Sequence, residues 1–214
     1  MAGSSLVKES ARKLYVKASD GVLMAVYVGI AAYSGTPPLH AVEKVNVFVE
    51  KLQDYCGGVS GRIIFLVGGY EGLMKIFVDK ALERGFKVVI LPPAERERDD
   101  FPEEAIIIKT GVTATLRSSI LVHASDFLVA LGGGSGTLEE VITAHNEGKE
   151  VYILTDTGLP TDVVKVLPSR LNRWTKGNLK SFNDPEVMAK SVCEHVANSG
   201  SNVNRTAPRL DAVY

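Results

Sequence analysis

The sequence predicts an α/β protein built on a doubly wound, mostly parallel sheet with helices on both faces. Short apolar runs rich in β-branched residues alternate along the chain with longer segments of helical periodicity. Nearly continuous apolarity is typical of strands covered on both faces, and strand–helix alternation implies crossover connections of one hand. The 214 residues suit a single domain over 1–214, with an N-terminal extension over 1–20 and a C-terminal tail over 199–214.

Six apolar runs are predicted to be the strands, because they are short, β-branched and nearly continuous in hydrophobicity. They cover residues 22–30, 62–67, 87–91, 105–109, 126–131 and 150–155.

Five segments between and after these runs are predicted to be amphipathic helices. The first begins with two prolines, which suit a first helical turn, and then places valine and leucine at spacings of three and four residues. Gly85 and Gly148 stand where helix-ending glycines belong. The predicted helices cover residues 37–55, 71–84, 113–125, 137–147 and 185–197.

Three stretches are less regular. Residues 19–21, Ser-Asp-Gly, predict either a hairpin turn that adds an edge strand or the end of an N-terminal helix. The mixed-sign run 95–100 is predicted to be a solvated loop, with a lid over a neighbouring crevice as the alternative. The polar tail 199–214 has no strand or helix period, and either stays loose or clasps a neighbouring subunit.

The charge balance gives the chain no strong global field. Lysine and arginine number 24 against 25 acidic residues, so the formal net charge is -1. A bound anion must then be held by a local arrangement of donors, and we expect no nucleic-acid partner.

The sequence also predicts no membrane partner and a cytoplasmic location. No run reaches the roughly 20 apolar residues of a membrane span. The first 20 residues carry several lysines and arginines and lack the apolar core of a secretory signal.

The two cysteines are predicted to be small buried hydrophobic residues. Cys56 and Cys193 have no second thiol or histidine at metal-ligand spacing. We therefore expect neither a disulfide nor a metal site, as is usual in a reducing compartment.

Glycine clusters follow three of the predicted strands, at residues 29–35, 68–72 and 132–137. Open parallel sheets bind ligands beyond the carboxyl ends of their strands, and glycine there lets the backbone and the next helix's N–H groups approach an anion. Glycine-rich strand-to-helix turns without a ligand are also common. The lysine of a triphosphate-binding loop and the dinucleotide fingerprint are both missing. The predicted ligand is therefore a monophosphate or another compact anion, and no cofactor is expected.

Thr137 and Glu140 fit two interpretations. They match a capping box, in which each side chain caps the other's backbone N–H. Alternatively, Glu140 is a functional carboxylate that the positive end of its helix keeps ionised. Arg117, on the preceding predicted helix, is either surface decoration or the group that closes the crevice from its other side.

The segment from Arg117 to Glu140, with its FLVALGGGSGTLEE ending, resembles the Lonely guy family of cytokinin riboside monophosphate phosphoribohydrolases, often labelled lysine decarboxylase-like. The segment LVGGYEGLM, residues 66–74, is similar to that family's first glycine-rich segment. Two positions depart from the family pattern: Gly132 replaces a proline, and Ser118 replaces a lysine. At both positions the sequence is more similar to the wider superfamily, which includes molybdenum-cofactor carriers and DNA-processing protein A relatives.

The resemblance implies a Rossmann-like homodimer that cleaves the N-glycosidic bond of a nucleoside 5'-monophosphate to free base and ribose 5-phosphate. It implies catalytic roles for Glu140 and Arg117 and no metal. The alternative is a carrier that binds a nucleotide or molybdenum cofactor without reaction. A third reading, single-stranded DNA handling, is disfavoured because no basic groove with interleaved aromatic residues is evident. The residues predicted to bind phosphate or line the nucleotide pocket are Gly133, Gly134, Ser135, Gly136, Thr137, Gly68, Gly69 and Met74.

Overall fold

A computed structural model describes residues 24–199, which form one seven-stranded sheet flanked by five helices. Every neighbouring pair of strands is parallel, in the order β4-β3-β2-β1-β5-β6-β7, so the predicted α/β fold class is confirmed. The strands are β1 (Val26–Ala31), β2 (Ile63–Val67), β3 (Lys87–Ile90), β4 (Ile106–Ile107), β5 (Phe127–Ala130), β6 (Glu150–Leu154) and β7 (Asn178–Phe182).

The helices cover both faces of the sheet, because alternate strand residues point to opposite sides. One apolar core packs α1, α2 and α5 against residues such as Val28 and Ile30. The other packs α3 and α4 against residues such as Leu128 and Ala130. The helices are α1 (Leu39–Cys56), α2 (Gly72–Glu83), α3 (Ala114–Ala124), α4 (Ser135–Asn146) and α5 (Pro185–Asn198).

The order of the strands opens a crevice between two neighbours. From β1 the chain runs outward through β2, β3 and β4, returns to β5 beside β1, and continues outward on the other side. The connections after β1 and β5 therefore leave toward opposite edges, and ligands of open α/β sheets bind at this point.

Most predicted elements are present, with two differences. The predicted strand 105–109 is reduced to the two residues of β4 at the sheet edge. β7 was not predicted, because it also lies at an edge and buries only Leu179, so it has no apolar run. Gly85 and Gly148 follow α2 and α4 with positive φ, as expected of helix-ending glycines. The predicted turn at 19–21 and the tail 200–214 lie outside the described residues.

The prediction of two unbonded cysteines is wrong. Cys56 at the end of α1 and Cys193 in α5 are buried, as expected, but they form a disulfide that joins the two helices. They are separated by 137 residues, and such a distance carries no spacing signal that a sequence could show. The cytoplasmic location therefore loses the support that unbonded thiols gave it and stays a prediction.

Among the described residues, the longest helices are too polar or too short to cross a membrane.

Candidate functional site

A crevice of about 320 Å³ opens at the carboxyl ends of β1 and β5. Its walls come from three places: the loop after β1, the first half of α3, and the start of α4. Its lining includes Tyr33 and Ser34 after β1, Arg117 and Ser118 on α3, and Gly134 to Thr137 with Glu140 on α4.

The start of α4 supplies backbone donors instead of a side-chain cap. The helix begins at Ser135 after Gly134, and no side chain of residues 24–199 caps this start, so the capping-box interpretation of Thr137 and Glu140 is wrong. The first N–H groups of an α-helix have no acceptor within the helix and carry the positive end of its dipole. Ser135, Gly136 and Thr137 hold these positions, and all three line the crevice.

Three glycines around the start of α4, Gly133, Gly134 and Gly136, have different structural roles. The N–H of Gly133 donates to Thr161 Oγ1 at 2.8 Å, and its carbonyl accepts from the Thr161 N–H at 3.0 Å. A Cβ on Gly133 would lie 2.0 Å from Thr137 Oγ1, whereas a Cβ on Gly134 or Gly136 would meet open space. Gly133 therefore fastens the loop from behind, and the other two glycines lie at the crevice.

The backbone at Gly132 excludes the proline that the Lonely guy family has at this position. Its φ is +99°, a value that a proline ring, fixed near -65°, cannot adopt. The backbone before α4 thus follows a path that only glycine takes readily.

Glu140 and Arg117 form a buried ion pair in the wall of the crevice. Arg117 Nη1 lies 3.4 Å from Glu140 Oε1, and the two residues are 8% and 6% exposed. Ser118 Oγ donates to the same oxygen at 2.8 Å. Glu140 Oε2 accepts no hydrogen bond from residues 24–199, so it is the oxygen available to a ligand.

The ionisation of Glu140 is set by opposing effects. Burial is the largest and raises the pKa of Glu140, while the charge of Arg117 and the hydrogen bond from Ser118 lower it. The helix end was predicted to favour the ionised carboxylate; in the structure Arg117 and Ser118 favour it, but burial outweighs them and the pKa of Glu140 is raised overall. Burial also lowers the pKa of Arg117, although a guanidinium keeps its proton near neutral pH.

Arg117 reaches Glu140 by crossing the backbone after β2. A Cβ on Gly68 would lie 1.6 Å from Arg117 Nη1, so the arginine takes the space that a side chain would need. Arg117 Nε is buried and finds no hydrogen-bond partner in the part of the chain that the structure describes. Gly69 is less constrained, since a Cβ there would lie at an ordinary 3.5 Å from Met74 Cε.

A second crevice of about 220 Å³ adjoins the first, and Arg117 and Met74 line both. Its lining includes Gly68 and Gly69 after β2 and, from the 95–100 loop, Glu95, Arg96 and Asp99. There Arg96 forms ion pairs with Glu71 and Asp99. The loop is exposed, as predicted for a solvated loop, and it borders the crevice that the lid alternative requires.

The structure thus brings together most residues selected from the sequence. Arg117, Glu140, Met74 and the run 134–137 line the first crevice, Gly68 and Gly69 line the second, and Gly133 lies behind the wall. Sequence reasoning missed Ser118 and Thr161. The departure of Ser118 from the family lysine was the available signal for the first; nothing in the sequence pointed to the second.

Comparisons with known proteins bear on the family and the fold of the chain. A sequence profile described as the SLOG cluster4 family matches residues 59–189. An uncharacterized protein of Archaeoglobus fulgidus is 35% identical over 92 residues, which make up 42% of this chain and 59% of the relative. The chain therefore spans about three fifths of that relative's length.

Two solved structures share the fold. The structural-genomics target TM1055 has a TM-score of 0.65 and 25% identity, with coverage of 79% of this chain and 99% of that one. The molybdenum cofactor carrier protein of Chlamydomonas reinhardtii has a TM-score of 0.62 and 22% identity, with coverage of 81% and 99%. The resemblance to the Lonely guy-like superfamily is confirmed. With its profile match covering more than half of the sequence, the chain belongs to the SLOG cluster4 family.

Proposed function

We propose that the protein is a nucleoside 5'-monophosphate N-glycosidase that releases free base and ribose 5-phosphate. The observation that carries the proposal is the placement of Glu140. Its carboxylate is buried beside the crevice, is held through Oε1 by Arg117 and Ser118, and keeps Oε2 for a ligand.

The start of α4 supports binding of the phosphate. The N–H groups of Ser135, Gly136 and Thr137 present donors without a competing acceptor in the helix, and the helix dipole favours an anion there. Because Gly133 already donates to Thr161, we assign the phosphate to these three amides. Glu140 follows Gly136 by about one helical turn, which suits a ribose between the phosphate and the carboxylate.

The chemistry assigned to Glu140 is electrostatic. As the bond between the ribose C1' and the base nitrogen breaks, positive charge develops on the sugar ring and the bond's electron pair leaves with the base. An ionised carboxylate close to C1' stabilises this charge and orients water for attack. The water oxygen forms the new bond to C1', and its proton balances the charge on the departing base. Arg117 and Ser118 favour the ionised form of Glu140 against the effect of burial.

A carrier is the second candidate, and one structural feature favours it. The two crevices join around Arg117, so together they offer room for a ligand longer than a ribose phosphate. The fold is shared with a molybdenum cofactor carrier protein. In this reading, the same amides bind a phosphorylated ligand and Glu140 only pairs with Arg117.

The deciding experiment incubates the full chain with a panel of nucleoside monophosphates and follows free base. Glu140→Gln should reduce turnover by about 100-fold or more, as expected for a lost electrostatic stabiliser, and retain nucleotide binding. Glu43→Gln, an exposed change on α1, is the matched control and should behave as the unmodified protein. Wild-type turnover in Glu140→Gln would refute the catalytic role.

Arg117→Ala separates binding from chemistry. It removes a charged group that contacts both crevices, so nucleotide affinity and turnover should fall together. If no nucleotide yields free base but nucleotides or pterin phosphates raise the thermal midpoint, the carrier function replaces the hydrolase.

The homodimer is part of the same proposal. Leu116 and Ile120 stand one turn apart on α3 and are 57% and 40% exposed, which gives an uncharged apolar face for a second copy. Light scattering should give twice the 23.0 kDa of one chain, and Leu116→Asp should halve that mass. A monomeric unmodified chain at micromolar concentration would refute the dimer.

A further inference from the structure

A basic segment follows β6 and includes β7, and none of its residues lines either crevice. From Val163 to Asn183 the sequence holds Lys165, Arg170, Arg173, Lys176 and Lys180 and no acidic residue. The formal net charge of -1 for the whole chain conceals this local concentration.

Three of these cations are free of carboxylate partners. Lys165 pairs with Asp156, and Lys180 pairs with Glu150. Arg170, Arg173 and Lys176 are exposed, and no carboxylate of residues 24–199 lies within ion-pair distance of them.

Trp174 lies among these three cations in the sequence and is 86% exposed. A tryptophan buries a large apolar area when it can, so an indole held almost entirely in water marks a surface that contacts something else.

The backbone that carries Trp174 is fastened to the end of α4. The Leu171 N–H donates to His145 Nε2 at 3.1 Å, and Asn172 Nδ2 donates to Asn146 Oδ1 at 3.1 Å. Asn172 Oδ1 then accepts from the Thr175 N–H at 3.1 Å, which closes a local turn around the tryptophan. The exposed indole is therefore presented by an anchored turn.

This turn lies far from the candidate active site. α4 begins at the crevice with Ser135 and ends at Asn146, and its 12 residues span about 18 Å. A ligand at the turn would thus leave the crevice open.

Although the net charge of the whole chain predicts no nucleic-acid partner, we propose that a surface formed by Trp174, Arg170, Arg173 and Lys176 binds single-stranded nucleic acid. A base stacks on the indole, and the cations contact the neighbouring phosphates. Stacking platforms flanked by cations are the means by which proteins bind single strands without reading sequence. An anionic membrane is the less favoured partner, because the segment has no long amphipathic helix to lay in the interface.

The three exposed cations and the single exposed indole determine the size of the effects that we expect. Three phosphate contacts to a single strand give a slope of about -2 for log affinity against log salt. Loss of one stacked base weakens binding by about 5- to 100-fold. With a single platform, the affinity should be modest and should disappear at high salt.

The test uses intrinsic fluorescence, because Trp174 is the only tryptophan of the chain. The full chain is titrated with a thymidine decanucleotide, with an abasic oligonucleotide of equal charge, and with phosphatidylserine vesicles. The decanucleotide should quench the fluorescence and bind several-fold more tightly than the abasic strand. Equal binding of the two strands, or response to the vesicles alone, would overturn the proposal.

Variants separate stacking from charge, with fluorescence anisotropy of a labelled decanucleotide as the readout. Trp174→Ala should lose about 5- to 100-fold in affinity, while Trp174→Phe should retain most of it. Arg173→Ala should reduce the salt slope by about 0.7. Lys190→Ala removes an exposed cation from α5 and should change nothing. Unchanged affinity in Trp174→Ala would overturn the stacking role.

Discussion

Reduction of the disulfide between Cys56 and Cys193 should destabilise the protein strongly. The bond closes a loop with a sequence separation of 137 residues between α1 and α5. The chain-entropy model assigns about 4.7 kcal/mol to a 100-residue loop and therefore about 5 kcal/mol here, while native disulfides contribute about 2–5 kcal/mol in practice. Reduction leaves both sulfur atoms in the core, so the packing between the helices is otherwise kept.

The assay is unfolding in guanidinium chloride with and without a reductant. A chain of this size has a slope of about 5 kcal/mol per M, so a loss of about 5 kcal/mol should lower the midpoint by about 1 M. The double variant Cys56→Ala/Cys193→Ala is the control, because its midpoint should not respond to the reductant.

Two results would count against this reasoning. The two cysteines are the only ones in the chain, so about two reactive thiols per denatured, unreduced chain would show that the bond is absent. Equal midpoints before and after reduction of a verified disulfide would show that closing the loop does not lower the conformational entropy of the unfolded chain by the calculated amount.

The remaining predictions concern the candidate site. Gly68→Ala should displace Arg117 and lower the free energy of unfolding by about 1–3 kcal/mol, as overpacking does, whereas Gly69→Ala should cost much less; equal midpoints in chemical denaturation would contradict this. Ser118→Ala removes a hydrogen bond that lowers the pKa of Glu140, so the rising limb of the pH–turnover profile should move to higher pH. Ser118→Thr keeps the hydroxyl and should return the rising limb to its original pH. If Ser118→Ala lowers turnover without moving the limb, Ser118 has only a structural role.

The sequence predicts this fold well where burial produces a pattern. Strands covered on both faces must be apolar throughout, which is why β1, β2 and β5 stand out. β7 escapes because an edge strand with one buried residue, Leu179, has no such pattern. α4 begins at Ser135, two residues before the predicted start at Thr137. Glycines allow a helix to begin without a side-chain cap, so the sequence carries no capping signal at the true start.

Predictions about the site fail where they depend on distant contacts. The motif residues Arg117 and Glu140 were predicted to share the crevice, but the hydroxyl of Ser118 reaches Glu140 only because α3 packs beside α4. The amide of Gly133 is taken by Thr161, which is 28 residues away in the chain. Residue composition records neither contact.

The arrangement around Glu140 also bears on what the crevice can bind. With Glu140 ionised, as the proposed mechanism requires, Arg117 and Glu140 together carry no net charge. Attraction for a phosphate then rests on backbone N–H groups and the helix dipole, which act over a short range. A ligand anion is therefore recognised by fit at the start of α4 more than by long-range steering, and its affinity should depend only weakly on salt. The Trp174 surface has the opposite character, since its three exposed cations act through water and are screened by salt. Added salt should therefore weaken binding of a single strand at the Trp174 surface strongly and binding of a monophosphate at the start of α4 only weakly. The salt dependence of each ligand then indicates at which end of α4 it binds.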